Sequence, residues 1–276
     1  MRFLPFAVFA VIHILSERIM ESNSLYNPEF ERLDEINESL SLIRSMKGLT
    51  FGTDSYLLAA FTRPVSKGRC VELGGGTGVV SLLCASKNKF SHIYCAEIQD
   101  YFADLIRRNA EMNSLSDKIT SVLTDIRDLT AASIGGEAHA VISNPPYMKV
   151  TQGRDNASAE MSIARREENG TIDDFASAAS RILRHGGYFT VVYRPERLAE
   201  LLFAMKNVRI EPKRMVLVYP TVSDKPCLVL VEGKKGAAPG IVISRPLIIQ
   251  KTKNSPEYTD DMQAVYDHFT LEHLFE

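Results

Sequence analysis

The sequence predicts an α/β protein with a doubly wound, mostly parallel seven-stranded sheet that carries an antiparallel hairpin at its edge. Two observations support this fold class. From residue 69 onward, short β-rich runs alternate with helical runs, which is typical of parallel crossover units with helices on both faces of the sheet. Two later apolar runs, Met215–Tyr219 and Cys227–Val231, follow each other without a helix between them, and they predict the hairpin.

The composition is that of an ordinary globular protein, with 45% hydrophobic and 24% charged residues in 276. A net charge of −2 gives the whole molecule no general attraction for polyanions, but residues 206–253 hold ten Lys or Arg against three acidic residues. The cysteines lack C-x-x-C spacing and most lie in apolar runs, so we expect buried thiols, a reducing cytoplasmic location and no metal site. They are Cys70, Cys84, Cys95 and Cys227.

Three regions are predicted along the chain. Residues 1–28 form an N-terminal extension whose apolar run, 3–15, is too short to span a bilayer and lacks a cleavage pattern. We expect a start assigned too early or a disordered or helical extension, with an export signal as the alternative. Residues 29–235 form the main domain, and 236–276 a small C-terminal extension that packs on it. No membrane contact is expected, and a monomer is favoured.

The first elements of the main domain are less regular than the later ones. Leu33, Ile36, Leu40 and Ile43 lie at near-helical spacing, although a short strand over 41–45 fits equally well. A helix should then begin with Thr53 or Asp54 as its N-cap and end before Pro64.

The alternating region follows. Its predicted strands are Arg69–Leu73, His92–Glu97, Ile119–Thr124, His139–Ser143 and Tyr188–Tyr193. Helices are predicted near 78–87, 100–113, 171–184 and 195–206. Beyond the hairpin, 241–244 and 247–249 resemble strand pieces, and 257–274 an amphipathic terminal helix.

A glycine-rich turn follows the first of these parallel strands, at the edge where doubly wound sheets bind ligands. Gly74, Gly76 and Gly78 let the backbone turn tightly and approach a ligand. Val79 stands where a dinucleotide fingerprint needs Gly or Ala, and no G-K-[ST] follows, so neither phosphate-binding signature is met.

The pattern E/D-x-G-x-G-x-G is met instead, with Glu72 as its acid. It resembles the first motif of class I S-adenosylmethionine-dependent methyltransferases, a Rossmann-like family, and this resemblance implies S-adenosylmethionine as cofactor. Glu97 ends the second strand, where a carboxylate can accept both hydrogens of a ribose diol. Asp125 follows the third and can accept from the adenine amino group. Ile126 would pack on the adenine ring, and Ile98 is also predicted to contact S-adenosylmethionine.

The fourth strand runs into Asn144-Pro145-Pro146-Tyr147. The two prolines fix an extended backbone with outward carbonyls. If the Asn144 side-chain oxygen and the Pro145 carbonyl hold the hydrogens of an exocyclic amine, its lone pair can aim at a methyl group, and catalysis is mainly alignment. Tyr147 would stack on the planar acceptor. The motif resembles that of methyltransferases acting on adenine N6, guanine N2 or glutamine, and a nucleobase acceptor would be flipped out.

Further stretches narrow the resemblance to the bacterial tRNA(Val) adenosine-37 N6-methyltransferases over roughly residues 30–265. Two departures are Arg166, where a histidine is expected, and Ser223–Cys227, where an acidic-Ala-Asn run is expected. The matching stretches are Arg32–Asp34, Phe51–Leu58, Ile163–Glu167, Arg194–Leu198, Glu211–Arg214 and Val231–Lys235.

The resemblance implies N6-methylation of an anticodon-loop adenosine, with tRNA as partner. Guanine-N2 methylation of ribosomal RNA or glutamine methylation of a release factor is the runner-up. From other classes, a nicotinamide-dependent oxidoreductase is disfavoured by Val79, and a non-catalytic RNA-binding relic by the intact Asn144 and Glu97. Basic residues are predicted to contact RNA phosphates: Lys149, Arg165, Arg166, Arg194, Lys213, Arg214, Lys234 and Lys235.

Overall fold

The computed structural model describes residues 25–46, 52–146, 170–253 and 255–276. Its strands are β1 Glu31–Asn37, β2 Leu40–Ser45, β3 Val65–Leu73, β4 Phe90–Glu97, β5 Ile119–Leu123, β6 Ala138–Ser143, β7 Leu183–Tyr193, β8 Ile210–Tyr219, β9 Leu228–Lys235, β10 Val242–Ile243 and β11 Leu247–Ile248. The α-helices are α1 Thr53–Phe61, α2 Val79–Ser86, α3 Asp100–Met112, α4 Ile172–Ile182, α5 Leu198–Asn207 and α6 Asp260–His268.

Seven long strands and two short ones form one sheet in the order β10-β8-β9-β7-β6-β3-β4-β5, with β11 also pairing to β8. Strands β3 to β7 run parallel, whereas β9 is antiparallel to both β7 and β8. One apolar core lies against α1, α2, α3 and α6, and a second lies against α4 and α5. Helices therefore cover both faces, and the predicted doubly wound sheet is confirmed.

The predicted parallel strands all form, and several are longer than expected. β7 begins at Leu183, inside the span predicted as the end of the preceding helix. The antiparallel pairing of the hairpin is confirmed, but β10 and β11 flank β8 as parallel partners. The hairpin is therefore not the outermost part of the sheet. Helix α6 is shorter than predicted and ends where Phe269 adopts a left-handed conformation, with φ of 53°.

Residues 31–45 form an antiparallel hairpin, so the helical interpretation of this stretch was wrong and the strand interpretation is confirmed. The Asn37 side chain accepts the amides of Ser39 and Leu40 at 2.9 and 3.1 Å and so closes the turn. Buried Asn109 of α3 then accepts the amide of Ile43 at 2.6 Å and donates to its carbonyl at 3.0 Å. These bonds pin the hairpin beside the carboxyl edge of the sheet.

Helix α1 has Gly52 as its N-cap, one residue before Thr53 and two before Asp54, the two predicted caps, and no side chain caps it. The carboxylate of Asp54 instead accepts the amide of Ser55 at 2.7 Å. At the other end of the helix, the ammonium group of buried Lys89 donates to three carbonyls, those of Ala59, Ala60 and Thr62. The sequence was therefore wrong about the cap, although it placed the helix correctly.

The C-terminal residues share the core of the main domain. Leu247, Met262, Val265 and Leu274 are buried in the same apolar cluster as α1 and α2. Among the described residues no helix combines the length and apolarity that crossing a membrane requires.

Candidate functional site

The glycine turn between β3 and α2 has the backbone conformation that the sequence suggested. Gly74, Gly76 and Gly78 have φ values of 71°, 54° and 80°, a region that side chains rarely allow. At Gly76 an added Cβ would meet nothing within 4 Å, so the space beside it is open. At Gly75 a Cβ would stand 2.1 Å from the sulfur of Cys95, so this position tolerates no side chain. The turn therefore leaves room for a ligand above the sheet.

A cavity of about 310 Å³ opens above this turn. Residues from β2, the start of α1, the glycine turn, α2, α3 and the end of β6 enclose it. Its lining comprises Leu42, Arg44, Ser45, Gly52, Asp54, Ser55, Glu72, Gly74, Gly75, Gly76, Thr77, Val79, Val80, Phe102 and Asn144. The structure thus brings Glu72, Gly74, Gly76 and Asn144 to one cavity, although 70 residues of sequence separate Gly74 from Asn144. Gly78 is not among the lining residues.

Glu72 forms the buried floor of the cavity, with 2% exposure. One of its oxygens accepts the amide of Ser81 at 3.0 Å, the Ser81 hydroxyl, and the thiol of Cys95 at 3.3 Å. Burial raises the pKa of the Glu72 carboxyl to about 7, because desolvation outweighs the hydrogen bonds that favour the charged form. The Glu72 carboxyl group can therefore change its charge near neutral pH.

Glu97 ends β4, as predicted, and Asp125 lies two residues beyond the end of β5, but each already has protein partners. The Glu97 oxygens accept one amide each, from Gly76 and Gln99, both at 2.9 Å. Each oxygen keeps a second lone pair for a ligand. The carboxylate of Asp125 is held by the Arg127 guanidinium, which lowers the pKa of that carboxyl. An adenine amino group would have to compete with Arg127 for it.

The two predicted apolar contacts of the donor lie in different environments. Ile98 is 41% exposed directly after Glu97 and is available to a ligand. Ile126 is 6% exposed and packs in the core against α4. The structure therefore does not bring Ile126 to the surface where the prediction placed it.

Asn144 lies at the end of β6 and is held from one side. Its amide nitrogen donates to Asp54 Oδ2 at 3.2 Å and to Ser55 Oγ at 3.3 Å. Pro145, next in the chain, is buried, and Pro146 is exposed. Tyr147 lies outside the described residues. An amide whose nitrogen is held in this way directs its oxygen away from α1. There the oxygen can accept hydrogen bonds from the amine of a substrate.

The basic residues predicted to contact RNA do not share one surface. Arg194 follows β7 at the carboxyl edge of the sheet, where Asn144 also lies. Lys234 pairs with Tyr188 in the middle of β7, and Lys235 with Ile210 at the start of β8. Because β9 runs antiparallel, its last residues reach the opposite edge of the sheet, about 20 Å from Arg194 at roughly 3.3 Å per residue. Lys213, near the start of β8, shares that edge. Lys149, Arg165 and Arg166 lie outside the described residues.

Two of these basic residues also form ion pairs or hydrogen bonds within the protein. Arg214 is 4% exposed and lies beside Glu232 and Glu272, so the prediction that it contacts RNA was wrong. The ammonium group of Lys235 donates to the carbonyls of Ser180 and Leu183, both at 2.7 Å. Basic residues close together in the sequence are thus divided between structural roles and a distant edge.

Sequence reasoning missed several residues of the cavity wall. Arg44 is 5% exposed, forms an ion pair with Asp34 and lines the cavity. Asp54 and Ser55 were assigned to a helix start and not to the site. Asp54 was one of the two residues predicted as the N-cap of this helix, and a capping role would have used its carboxylate within the helix. Only the fold shows that this end of α1 faces Asn144.

The family model of the methyltransferase small domain matches residues 39–209. The chain belongs to this family. Residues 39–209 include β2, α1, the glycine turn and Asn144, and thus all the elements that enclose the cavity. The family expectation drawn from the glycine turn is therefore confirmed for the part of the chain that forms the site.

Similar proteins are known in both sequence and structure. A protein of Porphyromonas gingivalis named tRNA1(Val) (adenine(37)-N6)-methyltransferase is 27% identical over 187 residues, covering 66% of this chain and 72% of that protein. One of the same name from Phocaeicola vulgatus is 25% identical over 207 residues, covering 75% and 86%. These similarities extend over most of the relatives' own length.

Among solved structures, a predicted O-methyltransferase from Agrobacterium tumefaciens matches with a TM-score of 0.63 at 22% identity, covering 79% of this chain and 97% of that one. P. horikoshii TYW2, in complex with MeSAdo, matches with a TM-score of 0.53 at 14% identity, covering 77% and 74%. At these identities the structures support the fold alone.

Proposed function

We propose that this protein transfers a methyl group from S-adenosylmethionine to N6 of adenosine 37 in the anticodon loop of a valine tRNA. The observation that carries the proposal is the cavity that joins the glycine turn to Asn144. A donor on the turn and an amine at Asn144 would then lie within one enclosed space. The names of the relatives supply the identity of the acceptor.

The cavity, together with Glu97 and Ile98 beside the glycine turn, fits such a donor. Gly76 leaves open space above the turn, where the methyl donor can approach the protein backbone without meeting a side chain. Glu97 retains lone pairs for ribose hydroxyls, and Ile98 offers an exposed apolar face for adenine. Glu72 and Arg44 give the amino-acid end one acidic and one basic neighbour. When bound, S-adenosylmethionine supplies an electrophilic methyl group on a sulfonium.

Toward the amine that receives the methyl group, the protein mainly supplies hydrogen-bond acceptors. The Asn144 oxygen and the Pro145 carbonyl would accept the two hydrogens of the exocyclic amine and orient its lone pair toward the donor site. Pro145 and Pro146 have no N–H groups, so nothing in the backbone there competes as a donor. Alignment of this kind needs no ionisable base. As the N–C bond forms, the S–CH3 bond of the sulfonium would break to leave S-adenosylhomocysteine, and the surplus proton on the methylated nitrogen would pass to water.

The tRNA backbone would lie on the carboxyl edge beyond Asn144. There, a polar cavity of about 710 Å³ separates the β8–β9 turn from the segment after β11, and Lys225 and Lys253 line it from the two sides. Arg194 donates to the carbonyl of Cys227 at 3.2 Å and so ties this turn to the end of β7. These residues replace Lys213, Lys234 and Lys235 as the proposed phosphate contacts. We place the monomeric protein with its tRNA in the cytoplasm.

The test is methylation of a defined transcript by the purified full chain. A valine tRNA with adenosine at position 37 and the same tRNA with guanosine there are incubated with methyl-labelled S-adenosylmethionine, and the digested nucleosides are identified by mass spectrometry. N6-methyladenosine in the first transcript alone is expected. Parallel reactions contain ribosomal RNA or a release factor in place of tRNA. Label recovered as N2-methylguanosine from the ribosomal RNA, or in the release factor, with none in tRNA, would select the corresponding alternative. Binding of NAD in place of S-adenosylhomocysteine would overturn the donor assignment.

A further inference from the structure

The start of α1 touches the one side chain that the proposed chemistry depends on. We infer that Asp54 is a positioning residue that fixes which end of the Asn144 amide faces the acceptor. This inference rests on the proposed function and deepens it, because it assigns a role to a residue outside the Asn-Pro-Pro motif.

The contact is specific in its hydrogen-bond polarity. A carboxylate only accepts hydrogen bonds, so Asp54 can bind the nitrogen end of the Asn144 amide but not its oxygen end. The distance from Asp54 Oδ2 to Asn144 Nδ2 is 3.2 Å, and the Ser55 hydroxyl oxygen lies 3.3 Å from the same nitrogen. The hydroxyl can either donate or accept, so Asp54 is the partner that distinguishes the two orientations.

Asp54 is itself fixed in place. Its other oxygen, Oδ1, accepts the amide of Ser55 at 2.7 Å in the first turn of α1. Ser55 is 6% exposed, and Leu57 and Leu58 of the same helix are fully buried. The carboxylate therefore has one oxygen tied to the helix backbone and one directed at Asn144.

The orientation matters because the two ends of an amide have opposite polarity. With its nitrogen on Asp54, Asn144 presents its oxygen to an incoming amine, whose hydrogens it can accept. In the reversed orientation, it would present N–H groups to the N–H groups of the substrate. A reversed amide would leave the amine without its acceptor and misalign its lone pair.

Asp54→Asn is the informative variant, because it keeps the shape of the side chain and replaces one acceptor oxygen with a donor nitrogen. The amide of Ser55 would keep the remaining oxygen, and the introduced NH₂ group would face Asn144 and favour its reversal. We expect kcat for methylation of the adenosine-37 transcript to fall by about 10- to 100-fold. Binding of S-adenosylhomocysteine, measured by calorimetry, and KM for tRNA should stay within about threefold of the unmodified chain.

Two comparisons complete the experiment. Asp260→Asn makes the same change in the exposed first turn of α6 and should leave kcat unaltered. Combining Asp54→Asn with Asn144→Ala should lower single-turnover labelling no further than Asn144→Ala alone, because the positioning effect requires the amide.

The possible failures are distinct. No methylation by the unmodified chain would overturn the proposed function. An active unmodified chain together with normal kcat in Asp54→Asn would overturn the positioning role alone. Effects that multiply in the double variant, or a loss of S-adenosylhomocysteine binding that matches the loss of turnover, would also overturn it and assign Asp54 to the donor.

Discussion

The buried carboxyl group of Glu72 predicts an unusual pH dependence of folding. In the native state its pKa is raised from the ordinary 4.5 to about 7 by burial. Between these two values the native state binds a proton that the unfolded chain has already released, so the free energy of unfolding falls as pH rises through this window. A shift of this size corresponds to about 3 kcal/mol of lost stability.

Glu72→Gln removes this titration while preserving the shape of the side chain. The stability of the variant relative to the unmodified chain should therefore increase by about 3 kcal/mol between pH 4 and pH 8. The measurement is urea unfolding followed by circular dichroism across that range. Ser81→Ala serves as the comparison, because it removes the hydroxyl that donates to the charged carboxylate and leaves the backbone amide bond in place. Loss of the hydroxyl should move the window to higher pH. A stability difference that stays constant with pH would show that Glu72 titrates normally and would refute the reasoning.

Two further predictions concern the carboxyl edge of the sheet, where tRNA is proposed to bind, and the protein core. Substituting the two lysines at the polar cavity should weaken tRNA binding and lower the slope of log Kd against log salt by roughly 1 per lysine, whereas substituting two at the opposite edge should change neither in fluorescence-anisotropy titrations. The first pair is Lys225 and Lys253, the second Lys213 and Lys234. Glu232→Ala should cost about 3 kcal/mol in urea unfolding, because it removes the buried carboxylate beside Arg63 and Arg214 and leaves buried Arg214 paired only with the exposed Glu272. Glu200→Ala, in an exposed pair with Arg197, should cost under about 1 kcal/mol, and equal costs would contradict the argument.

The sheet was predictable because each parallel strand and the helix after it are local features of the sequence. The hairpin at 31–45 was not, since Leu33, Ile36, Leu40 and Ile43 fit a helix nearly as well as a strand. What decides the matter is Asn109, which lies 66 residues away and bonds both backbone groups of Ile43. A contact at that separation leaves no trace in local periodicity.

In the site, too, local features of the sequence were predictable and contacts between distant residues were not. The glycine turn and Asn144 were recognisable because each ends a strand, and the carboxyl ends of parallel strands meet at one edge. The basic segment was misplaced because charge counts along the sequence ignore strand direction. One antiparallel strand, β9, carries Lys234 and Lys235 away from the edge that Arg194 occupies.

The position of Asp54 depends on parts of the chain far from the sheet's ligand edge. The ring of Tyr56 in α1 packs at a tilt against Tyr266 and edge-to-face against Phe269, with ring centroids 5.0 and 5.2 Å away. Both partners belong to the C-terminal segment. That segment lies beyond residues 39–209, the part that the family model matches. The family domain thus supplies the residues that line the cavity. The C-terminal segment supplies packing that holds α1, and with it the carboxylate that orients Asn144.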